Sequence, residues 1–124
     1  MSKKILVVDD DTDLVRGLVI RLRHAGYDVV FASDGYSAVA MSRREEPDLI
    51  ILDLGLPAGN GFSVLQRLRN LIAPVALKPV IVLTAWDPLE NEQRARAAGA
   101  NLFLQKPVEN DVLLTAIADL LEES

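Results

Sequence analysis

The chain has no cysteine, which excludes disulfide bonds and thiolate metal sites and suits a reducing compartment. Basic charge is scarce as well: 13 Lys and Arg stand against 18 Asp and Glu, for a formal net charge of −5. Nucleic-acid binders gain affinity by neutralising phosphates with Lys and Arg, so direct nucleic-acid binding is not expected here. Long apolar runs are missing too, and none approaches the ~18 residues of a membrane-spanning helix. Met1-Ser2-Lys3-Lys4 leads into a strand without the apolar stretch of a signal peptide. The expected location is the cytoplasm, with no membrane partner. The single His, His24, sits at a helix end and is read as a surface residue.

What is present is ordinary globular material. Half of the 124 residues are hydrophobic and 25% are charged, which argues against disorder and for one domain over residues 1–124. Strand and helix patterns alternate throughout. Strands are expected at 4–8, 27–32, 49–53, 80–84 and 102–105. The first helix carries Leu14, Leu18, Arg21, Leu22 and Ala25 at helical spacing and stops at Gly26. The second, from Ser37, stops before Pro47. Phe62, Leu65, Leu68 and Leu71 line the third, a fourth runs from Asp87-Pro88 to Ala98, and the last runs from Glu109 to Leu121. Continuous apolar strands need helices on both faces, so the predicted fold is an α/β doubly wound (βα)5 three-layer sandwich. Its parallel sheet order is 2-1-3-4-5. The connection 70–79, with two prolines, is expected to be a helix end and a loop packed on the N-terminal edge of the sheet; the alternative places Pro79 just before the strand.

Four of these apolar runs stop at polar residues: Asp9-Asp10-Asp11, Asp53, Thr84 and Lys106-Pro107. C-terminal strand ends line one edge of a parallel sheet, so these distant segments meet in one crevice. Three carboxylates, a hydroxyl and an ammonium group are what a divalent metal and a phosphoryl group need. Asp11 is read mainly as the start of a helix, with Thr12 or Asp13 as alternative caps.

In this order, Ile5 to Asp11, Asp48 to Leu54, Pro57, Gly61-Phe62, Val82 to Ala85, Gly99-Ala100 and Lys106-Pro107 resemble the receiver domains of bacterial two-component response regulators. The likeness extends over residues 3–122. It implies a flavodoxin-like (CheY-like) fold and a phosphorylatable signalling domain, with no turnover of an outside substrate. Asp53 would accept a phosphoryl group from a phosphohistidine on a sensor histidine kinase or phosphotransfer protein. The metal would be Mg²⁺, or Mn²⁺ in its place, held by Asp9, Asp10, Asp53 and the backbone carbonyl of Leu54. A hard ion of this kind prefers such oxygen ligands. Lys106 would pair with Asp53 and then with a phosphoryl oxygen, while Thr84 would donate a hydrogen bond to another. The resemblance also implies a cis Lys106–Pro107 bond.

Thr84 and Phe103 are the switch positions that the resemblance implies, with Phe103 turning inward on phosphorylation. Gly55, Ala85, Trp86 and Pro107 flank the site, and Trp86 is placed to lie over or beside it. The output face would comprise residues 87–121, for an output domain or protein partner. Residues 108–124 hold no Lys or Arg, which argues against a dimer salt-bridged through that helix. Its apolar stripe is read as Leu113, Ile117 and Leu120. Two other functions compete. One is a receiver-like interaction module that is never phosphorylated, whose usual sign is a missing acid or Lys, and none is missing. The other is a small metal-dependent phosphatase using the alternating pair Asp9 and Asp11.

Overall fold

A computed structural model describes residues 2–57, 60–71 and 75–122. Ala58 and Gly59 of the expected turn, and Ile72 to Pro74 of the proline-bearing connection, lie outside the described residues. The strands are β1 (Lys4–Val8), β2 (Asp28–Ala32), β3 (Leu49–Leu52), β4 (Val80–Thr84) and β5 (Leu102–Gln105). The helices are α1 (Thr12–His24), α2 (Gly35–Glu45), α3 (Gly61–Arg69), α4 (Pro88–Ala97) and α5 (Asn110–Glu122), with a short 3-10 turn at Val75–Leu77. The sheet is wholly parallel in the order β2-β1-β3-β4-β5, as expected.

Side chains alternate across a strand, and that period builds two apolar layers. Leu6, Val8, Ile50, Leu52, Val80 and Val82 pack with α2, α3 and α4. Ile5, Val7, Leu49, Ile51, Ile81 and Leu83 pack with α1 and α5. Burial of each such side chain stabilises the fold by roughly 1.5–3 kcal/mol. The helix faces differ from the expected stripes in two places. Val15, Leu18, Val19 and Leu22 are the buried residues of α1, whereas Arg21 and Ala25 are exposed. In α5 the stripe is Leu113, Ile117 and Leu121, one position on from Leu120. At 3.6 residues per turn two four-residue steps do not keep to one line, so the buried face winds around the helix.

Local signals set the helix ends. Asp11 alone caps α1, its carboxylate accepting the Asp13 and Leu14 N–H groups at 3.1 Å each, so Thr12 and Asp13 do not serve as caps. Asn60 caps α3 through the Ser63 N–H, and Asp87 caps α4 through the Leu89 N–H. Both side chains satisfy donors that a helix start leaves free. Gly99, at φ +118°, turns the chain out of α4. Among the described residues no helix is long and apolar enough to cross a membrane.

Candidate functional site

β1 and β3 are neighbours at the point where the strand order reverses, with Val8 opposite Leu52. The next residue on each is an aspartate, and the Asp53 N–H still bonds the Val8 carbonyl at 3.0 Å. That ladder bond holds Asp9 and Asp53 at the same level of the same edge. Both are buried, while Asp10 is exposed. A carboxylate oxygen from each of the three lies within 4.8 Å of the others. Like charges so close raise the free energy of the bare site and favour a divalent cation among them.

Lys106 reaches this cluster from β5. Its N–H bonds the Thr84 carbonyl at 2.7 Å, and the Lys106–Pro107 peptide is cis, as the resemblance implied. The ammonium lies 2.8 Å from Asp9 Oδ2 and 3.3 Å from Asp53 Oδ2. Its shorter contact is thus with Asp9, where the sequence reading paired it with Asp53. Burial works to lower the Lys106 pKa, but the hydrogen bond to Asp9 and the charges of Asp53 and Asp9 outweigh it and hold the ammonium above its ordinary range. Asp9 moves in the same direction for another reason. Its burial raises its pKa, and Asp53 adds to the rise, against the lowering by Lys106 and the Asp11 N–H.

Backbone donors orient the carboxylates. The Asp11 N–H donates to Asp9 Oδ1 at 2.9 Å, and the Gly55 N–H donates to Asp53 Oδ1 at 3.2 Å. Both oxygens of Asp9 are therefore engaged, one by Asp11 and one by Lys106. Thr84 is fully buried at the end of β4, and its hydroxyl oxygen accepts the Trp86 N–H at 3.3 Å. Ala85 is exposed between them.

Two of the expected site residues have further contacts in this structure. The Leu54 carbonyl, expected as a metal ligand, accepts the Gly61 N–H at 2.8 Å, and Leu54 is fully buried. That bond closes the β3–α3 turn. That closure requires a glycine, because a Cβ at Gly61 would lie 2.5 Å from Leu54 Cα and 2.6 Å from the Asp53 carbonyl. Phe103, expected to turn inward, is already only 7% exposed and packs in the layer with Phe62 and Ala95.

Trp86 lies over the Gly55 turn. A Cβ on Gly55 would be 3.3 Å from the indole nitrogen. The indole is tilted against Phe62 at 6.2 Å, and the Arg94 guanidinium sits 3.9 Å over the other ring. Sequence reasoning missed this stack, because an aromatic on α3 and a cation on α4 have no readable spacing. It also missed Arg69, whose guanidinium donates to the carbonyls of Gly99, Ala76 and Lys78 and to Asn101 Oδ1. Those bonds tie the end of α3 to the loops before β4 and β5.

A family model described as the response regulator receiver domain matches residues 5–118. The chain is similar to the alkaline phosphatase synthesis transcriptional regulatory protein PhoP of Bacillus subtilis. The two are 40% identical over 107 residues, covering 86% of this chain and 43% of that protein. It is also similar to a CheY-like response regulator receiver domain protein from Methanospirillum hungatei. There the TM-score is 0.92 at 32% identity, covering 99% of this chain and 96% of the other. The receiver domain of a sensor histidine kinase from Pseudomonas aeruginosa matches with TM-score 0.89 at 28% identity, over 98% of this chain and 99% of that one. That structure has a magnesium ion coordinated in its active-site cleft. The chain spans half or less of the length of curated relatives such as PhoP.

Proposed function

The chain belongs to the response regulator receiver domain family, and from that premise we propose how its residues divide the work of Mg²⁺-dependent phosphorylation. Asp53 is the nucleophile: one carboxylate oxygen attacks the phosphorus of a phosphohistidine, the P–N bond breaks, and the imidazole leaves with a proton. Bound Mg²⁺ would neutralise charge on the phosphoryl group as it passes, and Mn²⁺ offers the same chemistry. Asp10 and Asp53 would be the direct ligands and Asp9 would act through water, because Lys106 holds Asp9 more closely, at 2.8 Å against 3.3 Å for Asp53, and Asp10 is exposed. With the Leu54 carbonyl taken by Gly61, the carbonyl of Gly55 is the better backbone ligand, next to the carboxylate that its own N–H orients. Lys106 exchanges part of its contact with the aspartates for a phosphoryl oxygen, and the Thr84 hydroxyl donates to another.

The observation that carries this reading is the Lys106 ammonium shared between Asp9 and Asp53, with Asp10 in the same cluster. A receiver-like module that is never phosphorylated has no need of that assembly. A phosphatase acting through Asp9 and Asp11 is disfavoured, since Asp11 spends its carboxylate on capping α1 and Asp9 is held by Lys106. The domain is a signalling module and does not turn over an outside substrate. It works in the cytoplasm with a histidine kinase or phosphotransfer protein. Residues 1–124 form a single receiver domain whose α4, β5 and α5 face meets an output domain or protein partner.

Incubation with Mg²⁺ and acetyl phosphate should add one phosphoryl group by intact mass, labile as an acyl phosphate is. Asp53→Asn should abolish it. Labelling of that variant at another residue would overturn the assignment. Amide exchange with beryllofluoride should change most around α4 and the loop before it, while Phe103, already buried, stays in place.

A further inference from the structure

The open edge of β2 lies away from the output face and takes no part in the phosphorylation chemistry. Among the described residues β2 pairs only with β1, and α1 and α2 rise on either side of its free edge. Between them runs a groove of about 790 Å³. Its apolar lining includes Val19, Ala40 and Met41. Three large hydrophobic residues stand in it or on its rim with much of their surface in solvent: Ile20 at 63%, Phe31 at 55% and Tyr36 at 77% exposed. A contiguous exposed apolar patch of this kind points to an interaction site.

The charge along the groove is basic except at its Asp9 end. Arg16 and Arg23 come from α1 and Arg44 from α2, on a chain whose net charge is −5. Arg44 also pairs with Glu45 at 3.2 Å. Among the described residues Arg16 has no ion-pair partner. Asp9 is the one acid in the lining, at the end nearest the phosphorylation site, and Lys106 holds it. An occupant must therefore offer apolar side chains flanked by carboxylates.

Its backbone form follows from two further observations. The Arg23 guanidinium donates to the Val29 carbonyl at 3.2 Å, so a carbonyl that an added strand would need is already bonded. Such capping protects a sheet edge from strand addition. The groove follows α1 from Thr12 to Arg23, which at 1.5 Å per residue is roughly 17 Å, the length of about three helical turns. We propose that the β2-edge groove between α1 and α2 docks an acidic amphipathic helix of a partner protein. Apolar side chains at i, i+3, i+4 and i+7 would meet Ile20, Phe31 and Tyr36, and flanking carboxylates would meet Arg16, Arg23 and Arg44. This face is separate from the output face, so one domain can hold both partners.

The test uses a fluorescently labelled helical model peptide with Leu at helical spacing and Glu on the flanking positions. Its control carries Lys in place of every Glu. The acidic peptide should bind at least about tenfold more tightly than the basic one, more weakly as salt rises. Amide shifts in the ¹⁵N spectrum should fall on residues 15–23 and 31–44. Ile20→Ser combined with Tyr36→Ser, both surface changes, should weaken binding at least about tenfold with an unchanged thermal melt. Arg16→Glu with Arg44→Glu should reverse the preference between the two peptides. Equal binding of both peptides, or shifts on residues 87–121 in place of the groove, would overturn the proposal. So would failure of the acidic peptide to bind alongside a concentration-dependent dimer that the Ile20 and Tyr36 changes break, since the occupant would then be a second copy.

Discussion

The indole of Trp86 rests on the backbone of Gly55, its nitrogen 3.3 Å from where a Cβ at that glycine would lie. The loop after β4 and the turn after β3 thus close on each other beside Asp53. A methyl group at Gly55 requires the ring to yield by a few tenths of an ångström. A longer side chain requires it to leave Phe62. Gly55→Ala should therefore change Trp86 emission slightly, while Gly55→Gln should shift it to the red as the ring enters water. Equal spectra for the two variants would show that the indole is not held by this contact.

Among the described residues Lys106 is the one cation shared by Asp9 and Asp53. Removing it leaves two buried carboxylates to repel each other. Lys106→Met should lower stability by about 1–3 kcal/mol in the presence of a chelator, somewhat below a fully buried pair because the lysine is partly exposed. Added Mg²⁺ should restore most of that loss, since a second cation takes the place of the first. Thermal melts in chelator and in Mg²⁺ measure both effects. Equal loss under the two conditions would mean that the ion does not enter this cluster.

Burial holds the Asp9 pKa above its ordinary value of 3.8. The folded protein thus binds this proton more readily than the unfolded chain. The stability contributed by protonated Asp9 is full below the unfolded pKa and is lost as pH rises through the folded pKa. Without metal, the wild type should lose stability relative to Asp9→Asn over that window, just above the usual carboxylate range. Chemical denaturation at a series of pH values in chelator measures the difference. A difference that is flat with pH would remove Asp9 as its source. Mg²⁺ affinity should fall as pH descends through the same window, because proton and metal compete for the cluster.

Among the described residues Arg69 bonds no carboxylate, only carbonyl oxygens and an amide oxygen. Its burial lowers its pKa, yet an arginine remains charged at any working pH. Arg69→Met would leave several of those oxygens unsatisfied, at about 1–3 kcal/mol for each that water cannot reach. Lysine cannot reproduce the planar fork, so Arg69→Lys should recover little of the loss. Faster amide exchange near 99–101 should accompany both substitutions. Full stability of Arg69→Met would show that water replaces the guanidinium without cost.

The apolar runs, and the polar residues that stop them, determined most of this protein. A strand buried on both faces needs a continuous apolar stretch, and the first polar residue after it must emerge at the sheet edge. That local rule put Asp9, Asp53, Thr84 and Lys106 in one crevice, and glycine and capping signals put Gly26 and Asp11 at helix ends. Tertiary structure decided the rest, because each remaining choice depends on distances between segments far apart in sequence. Lys106 lies nearer Asp9 than Asp53 because of how β5 sits against β4 and delivers the ammonium across the edge. The Leu54 carbonyl is spent on Gly61 because the β3–α3 turn closes too tightly for any Cβ there. Phe103 is already inside because it belongs to the apolar layer that also holds Ala95 of α4. The basic groove beside β2 arises only when helices on opposite faces of the sheet flank its open edge. Periodicity reports which side of one element is apolar; only packing reports which elements share what lies between them.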